Sequence, residues 1–298
     1  MIKDFINLAD FSGQQLAGLL ERAIEDKAAF RAGQLEPTLT NRTLAMFFEK
    51  PSLRTRVSFE TAMTHLGGHA IYLTNADIGL GQREPVKDVA RVLGRMCDGI
   101  MARTFSHELV EDLGRCANVP VVNALTDFSH PCQAMADLMT VWEHFGFLAG
   151  RKLAFVGDGN NVDRSLAVAC AKLDMQFILA CPSGYELTDG DDVATSHDAR
   201  AAVADADVVY TDTWTSMGQE EQKQQRVRDF EGFQLNSDLL AAAPDRAIVL
   251  HCLPAYRGFE ITDDIFETHA ETILEEAANR LHFQRSLLNV LIAEGGVK

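Results

Sequence analysis

Short apolar runs, three to five residues each, alternate along this chain with segments whose apolar residues recur every three or four positions. Such runs are too short for a buried helix but long enough to cross a sheet, whereas the recurring spacing puts one apolar face on a helix. The first series predicts strands at 44–48, 70–73, 100–102 and 119–122. Between them, helices are expected over Phe59, Ala62, Met63 and Leu66 (stopped by Gly67 and Gly68), from Pro85 through Val86, Val89, Ala90 and Leu93, and near 109–113. A helix at 12–24 opens the chain, with Ser12 and Gln15 spaced as a capping box. A long helix at about 131–144 leads to a second series, with strands at 153–156, 177–180, 208–211 and 248–250. Strand, helix and strand of one sheet close by a right-handed crossover that covers the sheet, so the class is α/β with doubly wound parallel sheets.

The 298 residues are about twice the usual domain length, and 47% hydrophobic residues can fill two cores. The division is expected at the long helix: residues 1–130 form one domain and 131–270 the second. A last helix at about 271–292 packs back on the first domain, so 271–298 belongs with it. A net charge of −16 repels nucleic acid and anionic membranes, and neither is an expected partner. An anionic substrate must then be met by local positive charge. Cys97, Cys116, Cys132, Cys170, Cys181 and Cys252 contain no C-x-x-C pair, which fits free thiols in a reducing compartment and not a zinc site. No segment has the length and apolarity of a signal peptide or membrane span, so a cytoplasmic protein is expected.

Polar residues gather at the predicted strand ends. Ser52-Leu53-Arg54-Thr55-Arg56 lies between a strand and a helix, where free N–H groups, the helix dipole, an arginine and two hydroxyls make a phosphate seat. An ordinary Ser52 N-cap followed by solvated arginines fits these residues equally well. Arg103 directly follows a strand, and His130-Pro131-Cys132-Gln133 opens the long helix with His130 and Gln133 on one turn. A histidine at a helix start is also an ordinary cap or surface residue. Gly157-Asp158-Gly159-Asn160-Asn161 suggests a dinucleotide turn, but Val162 stands at the third glycine position and the next strand ends without an acid. A nicotinamide cofactor is therefore rejected. Asp212, within Thr211-Asp212-Thr213-Trp214-Thr215-Ser216-Met217-Gly218, could pair with an ammonium group, and Cys252, in His251-Cys252-Leu253-Pro254, could sit beside a reacting amine. A buried, inert thiol is the alternative for Cys252.

As a set, these motifs resemble the aspartate and ornithine transcarbamylase family over the whole chain. The pairing of Asp212-x-x-x-Ser216-Met217-Gly218 with His251-Cys252-Leu253-Pro254 is similar to its ornithine branch. The resemblance implies transfer of the carbamoyl group of carbamoyl phosphate to the side-chain amine of ornithine, giving citrulline and phosphate. It implies that Ser52, the Leu53 main chain, Arg54 and Thr55 hold carbamoyl phosphate, with Arg103 and His130 at its carbonyl oxygen and Gln133 at its amide nitrogen. Arg280, in Ala278-Asn279-Arg280, is also implied at this ligand, and Cys252 and the Leu253 main chain near the reacting centre. Asn161, Asp212, Ser216 and Met217 are implied for ornithine, and the family implies a homotrimer. Leu53 stands where threonine is commoner, and Arg164 where many relatives have histidine.

Carbamoyl phosphate carries its own leaving group, so neither metal nor cofactor is expected. Arg103, His130 and Cys252 are the expected catalytic residues. Two other readings stay open: a transcarbamylase for another amine, such as putrescine, lysine or an acylated ornithine, and a catalytically silent ligand-binding subunit.

Overall fold

The computed structural model describes residues 2–79, 83–187, 193–215 and 223–298. It divides into two compact units, Met1–Met139 with Ala278–Lys298, and Thr140–Ala277. The first contains α1 (Gly13–Arg31), β1 (Thr43–Phe48), α2 (Leu53–His65), β2 (His69–Thr74), α3 (Asn75–Ile78), α4 (Val86–Met96), β3 (Gly99–Arg103), α5 (His107–Cys116), β4 (Val121–Leu125) and most of α6 (Pro131–Phe145). Its strands are parallel in the order β2-β1-β3-β4. β1 is an inner strand, and Leu44, Ala45, Met46, Phe47 and Phe48 are all buried, which is why it reads as an unbroken apolar run. β2, at the edge, alternates in exposure.

Ser12 and Gln15 form the expected capping box. α1 nevertheless runs to Arg31, beyond the apolar signal, because the buried Lys27 continues its inner face and donates through Nζ to Asn279 Oδ1 at 2.6 Å. β4 begins one residue after Pro120, which has no N–H for a ladder. Phe5 adds a rung beside it, donating to Val121 O and accepting from Asn123 N, both at 2.8 Å.

The second unit contains β5 (Lys152–Val156), α7 (Asn161–Lys172), β6 (Gln176–Ala180), β7 (Thr195–Ser196), α8 (Ala199–Val203), β8 (Val208–Thr211), α9 (Lys223–Asp229), α10 (Ser237–Leu240), β9 (Ile248–His251), α11 (Asp263–Thr268) and the start of α12 (Ala270–Leu288). Its parallel sheet has the order β7-β6-β5-β8-β9. One core cluster joins Ala154, Val156, Val209 and Val249 of the strands to Phe230, Ile265 and Ile273. The last helix is α-helical only to Leu288 and ends in a π turn, Asn289–Ala293. Among the described residues no helix is long and apolar enough to cross a membrane.

Candidate active site

In the first unit the strand order reverses beside β1, with β2 on one side and β3 on the other. The connections leaving β1 and β3 therefore turn to opposite faces and part at their carboxyl ends, where open parallel sheets bind ligands. Ser52 caps α2, its Oγ accepting from Thr55 N at 3.4 Å. The inward stripe of α2 is Thr55, Ser58, Phe59, Ala62 and Met63, so Thr55 is its first residue and its hydroxyl faces in. Leu53 is 76% exposed, which leaves its main-chain N–H as the group it can contribute there. Arg56 takes the solvated role, donating to Glu60 Oε1 at 2.9 Å and stacking on Tyr72.

Arg103 ends β3 at a bulge: Ala102 pairs with Asn123 but Arg103 with Leu125. Bulges re-aim side chains, and here the Arg103 guanidinium donates to Thr55 Oγ1 at 3.4 Å. Arg280 Nη2, from α12, donates to the same oxygen at 3.3 Å, and Arg280 Nη1 donates to Gln133 Oε1. Two guanidiniums thus meet on one hydroxyl, and Gln133 completes the cluster. His130 is buried beside them. Burial, then the charges of Arg280, Arg103 and Arg54, hold its pKa well below the usual histidine value, so the ring is neutral at pH 7.

Three strand-end connections are stitched behind this cluster. Glu49 N donates to Arg103 O, Phe105 N donates to Glu49 Oε2 and Asp127 N donates to Phe105 O, each at 2.9 Å. Lys50 pairs with Asp127 and lies over the Phe105 ring. Cys132 is buried, donates to Asn123 O at 3.4 Å, and has its pKa pushed up to about 12 by burial, so it is an inert structural thiol.

In the second unit the order reverses at β5, flanked by β6 and β8. The turn after β5 brings Gly159 against backbone: a Cβ there would lie 2.6 Å from Leu187 N, so this position requires glycine. Asn160 then caps α7, its Oδ1 accepting from Val162 N at 2.9 Å and Asp163 N at 3.1 Å. Its Nδ2 donates to Asp212 Oδ2 at 2.9 Å, while Thr213 N donates to Asp212 Oδ1 at 2.7 Å. Asn161, the first residue of α7, directly follows this cap. Burial raises the pKa of Asp158; its partner Arg226 opposes the rise and nearby Asp212 adds to it.

At the end of β9, polar atoms of Asp212, His251 and Cys252 lie within 4.8 Å of one another. Leu253, with φ of 57°, donates its N–H to His251 Nδ1 at 2.9 Å, and His251 Nε2 faces Glu260 Oε1 at 3.2 Å. Nε2 therefore carries the proton. With both ring nitrogens engaged, this trio has no imidazole lone pair open to a metal ion. Ser216 and Met217 lie outside the described residues.

Within one unit, then, Ser52, Thr55, Arg103, His130, Gln133 and Arg280 come together; within the other, Asp212 and Cys252 do. Asp137 and Glu260 are partners that the sequence reading left out, and Asn160 and His251, named there within their motifs, were not among its site residues. Asp137 could have been found from its i+4 spacing to Gln133, whereas Glu260 reaches His251 across an irregular loop with no such spacing.

Residues 3–143 match the family model described as aspartate/ornithine carbamoyltransferase, carbamoyl-P binding domain, and residues 149–291 match its Asp/Orn binding domain. The ornithine carbamoyltransferase of Pyrococcus horikoshii is 46% identical over 99% of this chain and 97% of its own length. That of Chromohalobacter salexigens is 47% identical over 97% of each. The structure of ornithine carbamoyltransferase from Pyrococcus furiosus superposes with a TM-score of 0.93 at 45% identity, covering 99% of this chain and 98% of that one. Two matched domains in the same order and near-complete coverage at this identity leave one assignment: the chain belongs to the aspartate/ornithine carbamoyltransferase family.

Proposed function

We propose that the chain is an ornithine carbamoyltransferase, transferring the carbamoyl group of carbamoyl phosphate to the side-chain amine of L-ornithine to give L-citrulline and phosphate. The observation that carries this reading is the meeting of Arg103 and Arg280 on Thr55 Oγ1 beside a neutral His130. A small dianion fits such a cluster, with Ser52, the Leu53 N–H and Arg54 at the helix N-terminus taking phosphate oxygens. As the amine attacks, charge develops on the carbonyl oxygen, and Thr55, Arg103 and His130 supply donors to it. A neutral imidazole donates one N–H there without adding a fourth cation to Arg54, Arg103 and Arg280.

Asp212, with Asn161, is assigned to the amino-acid substrate, and the family resemblance assigns Ser216 and Met217 to it as well. Asp212 and Cys252, with the Leu253 main chain beside it, receive the reacting amine. That amine titrates at about 10.4 in water, so the site must favour its neutral form. Ornithine as acceptor is further supported by the names of the relatives above. We place the enzyme in the cytoplasm as a homotrimer, on the family resemblance.

The test is a panel of amines (ornithine, putrescine, lysine, N-acetylornithine) given with carbamoyl phosphate and scored for ureido product. Ornithine is expected to have the highest kcat/KM. A higher value for another amine would reassign the acceptor, and no product from any would support the silent-subunit reading.

A further inference from the structure

The side chain of Gln133 is held in one sense only. Its Nε2 donates to Asp137 Oδ1 at 2.7 Å, and its Oε1 accepts from Arg280 Nη1. Asp137 is 0% and Arg280 3% exposed, so water replaces neither partner. Turning the amide over would set its oxygen against a carboxylate and its NH2 against a guanidinium, exchanging two charge-assisted hydrogen bonds for two repulsions. The carboxylate sits one helical turn beyond the amide on α6, so the helix itself fixes their spacing. Arg280 is set from its other side as well, by Thr55 Oγ1 and by the Gln284 amide, whose oxygen, turned toward it, accepts from Nε at 3.0 Å.

We propose that Asp137 is a positioning residue that sets the polarity of Gln133 and so makes the carbamoyl phosphate seat select a carbamoyl over an acetyl group. The inference rests on the functional reading given above. With one Nε2–H committed to Asp137 and the sense of the amide so fixed, the end of Gln133 beside Arg280 is its acceptor oxygen and not its NH2. A carboxamide oxygen has two lone pairs; Arg280 engages one, and the other matches the N–H of a carbamoyl group. An acetyl group would set a methyl against that buried oxygen and leave its second lone pair without a donor, which binding sites discriminate against. Of the two contacts that orient the amide, the one to Arg280 competes with a bound phosphate for the guanidinium. The contact to Asp137 does not.

The experiment compares wild type with Asp137→Leu and Asp137→Asn. It measures KM for carbamoyl phosphate, KM for ornithine, and the inhibition constant of acetyl phosphate as a competitor. Asp137→Leu is expected to raise KM for carbamoyl phosphate about tenfold while the other two constants stay within about twofold, so discrimination falls about tenfold. Asp137→Asn, whose Oδ1 can still accept from Gln133 Nε2, is expected to recover most of it. If Asp137→Leu does not fold, Asp137→Ser, which places its hydroxyl out of reach of the amide, gives the same reading. Parallel rises in all constants, or an unchanged ratio, would overturn the proposal while wild-type citrulline formation stands. Absence of ureido product from the wild type would instead overturn the functional reading beneath it.

Discussion

Replacing Thr55 with valine preserves the side-chain shape and removes one hydroxyl. That oxygen, on a residue 1% exposed, accepts from Ser52 Oγ at 3.1 Å, Arg280 Nη2 at 3.3 Å and Arg103 Nη1 at 3.4 Å. The two guanidinium contacts are long for bonds from charged donors because one oxygen with two lone pairs serves three donors, the Ser52 hydroxyl among them. Each is therefore placed at the low end of the range, about 0.5 kcal/mol, and the three together at about 1.5 kcal/mol. For a unit of this size that lowers Tm by about 3–6 °C. Activity is expected to fall much further, by about 10²–10³ in kcat, because a donor aimed at developing charge acts mainly in the transition state. KM for carbamoyl phosphate is expected to change by only about threefold, since Arg54, Arg103 and Arg280 retain the phosphate charge. Initial rates of citrulline formation at saturating ornithine, with thermal melts on the same samples, read both effects. A variant with lowered Tm but kcat within about threefold of wild type would refute the hydroxyl as a transition-state donor.

Two further outcomes follow from the charges in each unit. Burial and the Arg280, Arg103 and Arg54 guanidiniums depress the pKa of His130, so the unfolded chain takes up a proton near pH 6.5 that the folded chain still refuses. Its stabilising contribution is thus full above that pH and falls as the pH drops below it. Urea unfolding at pH 7.5 and 5.5 should show wild type losing up to about 1.4 kcal/mol more than His130→Gln, and equal losses would contradict the sign. Asp212→Asn keeps the side-chain size but removes the charge offered to an ammonium group. It should raise KM for ornithine about ten- to hundredfold and leave KM for carbamoyl phosphate unchanged; a rise in both would assign Asp212 a general structural role.

How much of this was legible in the sequence depended on burial. β1 and β5 are inner strands covered on both faces, so their apolar runs have no competing explanation. β7 is Thr195–Ser196, two residues at a sheet edge, and carries no apolar signature. The continuation of α1 past Ile24 was hidden because a lysine, hydrogen-bonded to the Asn279 amide oxygen of α12, occupies an inward position. At the candidate site, strand ends marked Arg103 and Asp212, because polar residues after buried runs stand out. The split between Arg54 and Arg56 was not readable, since it depends on which residue of α2 begins the inward stripe. Nor was Asn160, whose capping of α7 and grip on Asp212 join two segments far apart in the chain.

The proposed seat of carbamoyl phosphate is the cationic cluster of the first unit. It is tested most directly by calorimetric titration with phosphonoacetamide, which keeps the phosphoryl and carboxamide groups but cannot transfer the latter. One molecule should bind per chain in the absence of ornithine, and Arg103→Gln should weaken binding by about tenfold or more. Equal affinity in the two proteins, or no binding to wild type, would contradict the account.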